Sequence, residues 1–262
     1  MGLNRDKWKE EFRAEEPLRW PCPSCHESPL RVVLKSLTHG ETSGSKAMRD
    51  HDAFEPDLHV DGRFACIMDC GHCGNEVGVT GTYRLKDERY EDAERGEAGG
   101  YVKYHRPRYF TDSPHLVQMP EKTPGPVAEE LVASFQLFWS DPLTCTNRIR
   151  SSVEKLLNAE RVPQTTRNDK GKRVFLKLHV RIERYQKERK NIADKLMAMK
   201  WIGNAGSHSQ GTTLDDALDG YELMDWVLDT LYARRHRRAS ALTRVINRRR
   251  APRSPRRGSS RQ

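Results

Sequence analysis

The sequence predicts an α+β protein: a small β-rich domain, then an all-α bundle of four or five helices, then a disordered basic tail. Three observations carry this. Residues 30–85 read as short β-branched and aromatic segments that follow one close-set cysteine pair, at 22 and 25, and enclose a second, at 70 and 73. From Val127 onward the apolar residues recur every three or four positions. Residues 234–262 hold twelve arginines and no acid. At 262 residues the chain can bury more than one core, and the change of pattern favours two parts, each with its own. The expected organisation is an N-terminal helix or arm at 1–20, a cysteine-bearing domain at 21–86, a connector at 87–126, a helical domain at 127–233 and the tail at 234–262.

In chain order, Trp8, Phe12, Leu18 and Trp20 among charges suit a short amphipathic helix. Residues 30–37, 63–69 and 78–85 read as strands, with a polar insertion between the first two. Residues 86–126 are rich in Glu, Asp, Gly and Pro without periodicity, which reads as an extended connector. A first bundle helix runs through Val127, Leu131, Phe135, Phe138 and Trp139. Asp141-Pro142 then supplies a cap and a first-turn proline for a second, through Ile149, Val153, Leu156 and Leu157. A third follows Phe175, Leu178, Ile182 and Tyr185, and a fourth Ile192, Leu196 and Met199. Thr213, with Asp216 three residues on, opens a fifth.

Cys22-Pro-Ser-Cys25 and Cys70-Gly-His-Cys73 are two C-x2-C turns. That spacing lets both thiolates of a tight turn face one ion, and two such turns complete a tetrahedron. The expectation is one structural Zn2+ per chain in a zinc ribbon, with no ligand position left for a catalytic water. Cys66 and His72 compete for the ion; Cys66 is placed in the strand core instead. No apolar run is long enough to span a bilayer and the first residues are charged, so the expectation is a soluble, cytoplasmic protein without a membrane partner.

The formal charge of +9 is uneven, because without the tail 34 basic side chains face 37 acidic ones. Attraction to a polyanion therefore belongs to the tail. Arg234, Arg235, Arg237, Arg238, Arg248, Arg249 and Arg250 are its candidate nucleic-acid contacts, without sequence preference.

Two further elements are Arg150 with Glu154, one helical turn apart, and Gly203, Asn204, Gly206 and His208, a GN-x-G-x-H pattern. With FWSDPLTCTNRIRSSVEKLL and KWIGNAGSHSQGTTLDDALDGYELMDWVLDTLY they closely resemble the uncharacterised domain-of-unknown-function family 4145, over about residues 20–233. That family resembles the HEPN helical bundles of prokaryotic toxins, restriction systems and antiviral defence, many of which are ribonucleases. The resemblance implies a HEPN-like bundle, a homodimer, a possible protein partner in a defence system, and metal-independent cleavage of RNA. In that reaction His208 would be the general acid or base, Asn204 central beside it, and Lys200, Arg150 and Glu154 supporting. The usual motif places an arginine shortly before its histidine, whereas positions 201–203 here are Trp, Ile and Gly. Lys200 keeps the charge but lacks the planar fork suited to phosphate. Two readings follow: a ribonuclease, or a non-catalytic adaptor that holds nucleic acid or protein through the bundle and the tail. Read without the resemblance, Asn204 and His208 suit a capping turn, Arg150 and Glu154 an ordinary ion pair, and Trp201 and Trp226 the core.

Overall fold

A computed structural model describes residues 3–92, 96–205 and 211–249. The N-terminal part comprises α1 (Asp6–Lys9), β1 (Leu30–Val32), a 3-10 turn (Leu34–Ser36), β2 (Thr38–Glu41), α2 (Ser43–Met48), α3 (Pro56–His59), β3 (Asp61–Cys70), β4 (Glu76–Asp87), β5 (Tyr90–Asp92), β6 (Gly96–Ala98) and β7 (Tyr101–Phe110). β1 and β2 both pair with β3, β3 with β4 and β4 with β7, all antiparallel. In β3 the side chains alternate strictly, Phe64, Cys66, Met68 and Cys70 inward and Asp61, Arg63 and Ala65 outward, as a half-buried strand requires. Cys66 is thus a core residue.

Residues 87–126, expected as a connector, contain β7. Its period of two is hidden in the sequence because the inward positions are His105 and Pro107, and because a bulge opposite Thr80 and Gly81 breaks the register. Pro107 is tolerated because β7 is an edge strand. The expected amphipathic helix within 1–20 is one turn, α1; the chain then extends, and Phe12 exchanges backbone hydrogen bonds with His105 at 2.9 Å each way.

The helical part comprises α4 (Gly125–Leu137), α5 (Pro142–Ala159), a β8–β9 hairpin (Thr165–Arg167, Arg173–Phe175), α6 (Leu178–Ala205), α7 (Leu214–Tyr232) and α8 (Arg234–Arg249). Asp141 caps α5 by accepting from the Thr144 N–H at 3.0 Å, and Thr213 with Asp216 forms a capping box on α7. α6 breaks at Arg189 (φ −142°, ψ 61°). In a straight helix His179 and Met197 would lie about 27 Å apart; here His179 Nδ1 is 3.2 Å from Met197 Sδ. The two arms therefore run antiparallel and correspond to the expected third and fourth helices. Phe175 falls outside the third: it sits on β9 and is 83% exposed.

The two expected cores are one. Trp139, at the end of α4, packs against Trp8, Trp20 and Phe110, and its Nε1–H donates to the Trp8 carbonyl at 3.2 Å. The arm also reaches α7, where Arg5 meets Asp219 at 2.6 Å. The tail, expected to be disordered, is helical through Arg249, since Arg, Ala and Leu are good helix formers; Arg250 lies outside the described residues. Among the described residues no helix is long and apolar enough to cross a membrane.

Candidate functional site

The four cysteines converge because the arm and β1 run beside the end of β3. Trp20 accepts a hydrogen bond from the Leu30 N–H at 2.8 Å, and Leu30 pairs with Cys70. This places the turn at Cys22 against the turn at Cys70. Each turn closes the same way: the His26 N–H donates to the Cys22 carbonyl at 3.1 Å, and the Gly74 N–H to the Cys70 carbonyl at 2.9 Å. Both following residues take the left-handed conformation, φ 59° at His26 and 73° at Gly74. Glycine suits that requirement; histidine meets it at a steric cost.

All four sulfurs lie within 4.8 Å of one another. Cys22 Sγ is 3.7 Å from Cys73 Sγ and Cys25 Sγ 3.6 Å from Cys70 Sγ. Those separations are too long for disulfides and match the about 3.8 Å edge of a tetrahedron with about 2.3 Å metal–sulfur bonds. Backbone N–H groups already support anionic sulfur: Ser24 N–H points at Cys22 Sγ at 3.4 Å, and the Cys73 N–H draws the Cys70 thiol down to about 6. At Cys73 the Asn75 N–H pulls the same way, but burial and the neighbouring sulfurs outweigh it and push that thiol up to about 12. Four sulfurs this close shed all their protons only with a cation among them, so the donor set fits a structural metal ion.

The elements of the second candidate site meet at the α5–α6 contact. Gly203 lies directly on α5: a Cβ there would stand 2.6 Å from Arg150 Cβ and 3.0 Å from the Thr146 carbonyl oxygen. The Arg150–Glu154 and Gly203–Asn204 elements are therefore neighbours in space. Arg150 pairs with Glu154 at 3.4 Å, and its Nε is buried without a hydrogen-bond partner among the described residues. Lys200 is only 8% exposed, with Nζ 3.2 Å from the centroid of the Trp201 ring. Asn204 is half-buried near the end of α6, while Gly206 and His208 lie outside the described residues. Trp201, expected in the core, is 55% exposed, and Trp226 is also exposed beneath Lys195 Nζ.

In the tail, Arg234, Arg235, Arg237 and Arg238 fall in the first turns of α8; Arg244, Arg248 and Arg249 are exposed. Two features escaped the sequence reading. Beside the first cysteine turn, a cleft of about 670 Å³ is lined by Lys7, Trp8, His26, His115, Met119 and Asp229, among others. There the His26 and His115 rings lie 4.5 Å apart, and burial pushes His115 down to about 4. Under the sheet, His105 Nδ1–H donates to the Phe12 carbonyl at 3.1 Å, which leaves Nε2 to accept from His39 Nε2–H at 2.8 Å. Neither pairing carries a sequence signature, because each joins distant single histidines.

Two family models match the chain. One, described as Domain of unknown function (DUF8608), covers residues 10–110 and ends with β7; the other, Domain of unknown function (DUF4145), covers residues 132–249 and ends with α8. The likeness to family 4145 is thus confined to the helical part and does not extend over 20–233 as expected. No curated protein and no solved structure matches the chain.

Proposed function

We propose that this is a zinc-ribbon, HEPN-like protein that binds nucleic acid, RNA above DNA, with a place in prokaryotic defence. The single observation behind it is α8: sixteen residues ordered as a helix, carrying seven arginines and no acid. Arg244 and Arg248 are one turn apart and exposed, a rigid cationic edge suited to a phosphate backbone. Four thiolates favour zinc, and a filled tetrahedron leaves the ion no open position, so the metal supplies rigidity and not catalysis.

The test is fluorescence anisotropy of the full chain with RNA and DNA of equal length across a salt series. Binding should weaken with salt by about 0.7 logarithmic units per phosphate neutralised on a single strand. Deleting 234–262, with the fold verified by circular dichroism, should remove most of both affinity and slope. Unchanged affinity and slope would overturn the proposal.

A second reading, ribonuclease activity, is favoured by one observation, the seating of Gly203 against Arg150. Metal-independent RNA cleavage that disappears in folded His208→Ala would establish it; no cleavage by wild type leaves the adaptor reading.

A further inference from the structure

We infer that the outward face of the five-stranded sheet is a binding surface for single-stranded nucleic acid, in which a base stacks on Tyr109 and phosphates meet Arg63, Arg106 and Arg108. This rests on the nucleic-acid reading above and adds a folded contact surface, on a different part of the chain from α8.

The inward face of the sheet is filled by the arm and Trp139; the outward face is open. Cross-strand pairing puts Thr38, Ala65, Thr80 and Tyr109 in one row across β2, β3, β4 and β7. Arg63, Thr82 and Arg106 form the next row. Directly paired residues share a face, and neighbouring rows on that face are about 7 Å apart. An open groove of about 620 Å³ follows these rows and runs into a second of about 390 Å³; Ala65, Thr80 and Tyr109 belong to both.

Three properties of this face point to one class of ligand. The Tyr109 ring, 61% exposed, has no aromatic or hydrogen-bond partner among the described residues, and the side chains beside it are Ala and Thr. A flat aromatic over a small-residue floor accepts the face of an unpaired base, which a duplex does not present. The β7 bulge leaves Arg108 and Tyr109 adjacent and both exposed, and both line the groove. Finally, Arg63, Arg106 and Arg108 have no carboxylate partner among the described residues, and neither row contains an acid; Arg108 reaches only the Trp139 carbonyl, at 3.3 Å. Three unneutralised guanidinium groups around a bare ring complement a polyanion that carries bases.

The test compares full-chain wild type, Tyr109→Ala, Tyr109→Phe, Arg63→Gln and the α8 variant Arg244→Gln/Arg248→Gln/Arg249→Gln. The probes are a twelve-nucleotide oligouridine and an RNA duplex of the same length. Tyr109→Ala should weaken oligouridine binding by at least about five-fold and leave the duplex within two-fold, because stacking acts on unpaired bases. Tyr109→Phe should retain wild-type affinity. Arg63→Gln should weaken the single strand and reduce its salt slope by about 0.7. If Tyr109→Ala and Arg63→Gln both bind oligouridine like wild type while the α8 variant loses affinity, the sheet inference falls and the function proposed above stands. If wild type binds neither probe, both fall. A protein captured by wild type and not by Tyr109→Ala, with oligouridine affinities equal, assigns the face to a protein partner and overturns the inference.

Discussion

Gly203→Ala and Gly220→Ala form a matched pair, since both glycines lie in helices and both face α5. Each substitution gains up to about 1 kcal/mol of helix propensity. At Gly203 the new methyl meets Arg150 Cβ at 2.6 Å and the Thr146 backbone oxygen at 3.0 Å, neither of which can swing aside without moving α5. Overpacking of this kind costs about 1–3 kcal/mol, occasionally more. Position 203 is also close to the end of α6, where the propensity gain is smaller. The net expectation is a loss of about 1–2 kcal/mol, or a Tm lower by about 2–8 °C for a chain of this size. At Gly220 the nearest atom is Ile149 Cδ1 at 3.1 Å, the end of a side chain, so contact and propensity should cancel to within about 0.5 kcal/mol. Thermal unfolding followed by far-ultraviolet circular dichroism measures both. A Gly203→Ala protein as stable as Gly220→Ala would refute the close α5–α6 contact, and with it the structural proximity of Arg150 and Asn204.

The purified chain should carry one metal ion per molecule by elemental analysis, and Cys22→Ser or Cys70→Ser should lose it and melt earlier; a metal-free wild type of undiminished stability would refute the site. Trp139→Ala should cost about 3–5 kcal/mol and leave one cooperative transition, because this side chain joins sheet and helices. Two separate transitions in its melt would contradict the shared core. Burial holds both His39 and His105 below the usual histidine value of 6.5. The unfolded chain then binds more protons below about pH 6.5, so stability is complete above that pH and falls as pH drops towards the lower folded values. Tm measured against pH should show this decline, and His39→Asn should flatten it.

What the sequence disclosed follows from how local each signal is. The capping box at Thr213 and Asp216 and the Asp141 cap are decided within four residues, and both helices begin where those residues place them. The cysteine pairs were legible because C-x2-C is itself the turn that aims two sulfurs. β7 was not, since its pairing with β4 is long-range and its inward residues are His and Pro. Trp201 was assigned to the core on residue type, yet it faces outward under Lys200 Nζ at the rim of the bundle. For the candidate site, the sequence supplied Arg150 and Gly203 as separate motifs, while their contact arises only from α6 folding back at Arg189. The outward rows of the sheet were illegible for the same reason: Arg63, Thr82 and Arg106 become neighbours only through register.

The place of the cysteine cluster in the chain gives a structural reason for four sulfurs to meet there. Cys22 follows Trp20 by two residues, and Cys70 is the last residue of β3. An ion held by all four sulfurs would therefore fasten the end of the arm to the central strand. The arm lacks the structure to hold itself: α1 is one turn, and beyond it the chain is extended. Yet it supplies Trp8, Phe12, Leu18 and Trp20, all buried, to the seam between sheet and helices. Burying those four side chains is worth about 1.5–3 kcal/mol each, but only if the entropy of ordering an otherwise free segment is met. A metal bound by the four sulfurs would meet part of it by shortening the free segment to the residues before Cys22. Its effect would be mechanical: it would keep the inward face of the sheet filled by Trp8, Phe12, Leu18 and Trp20 of this chain.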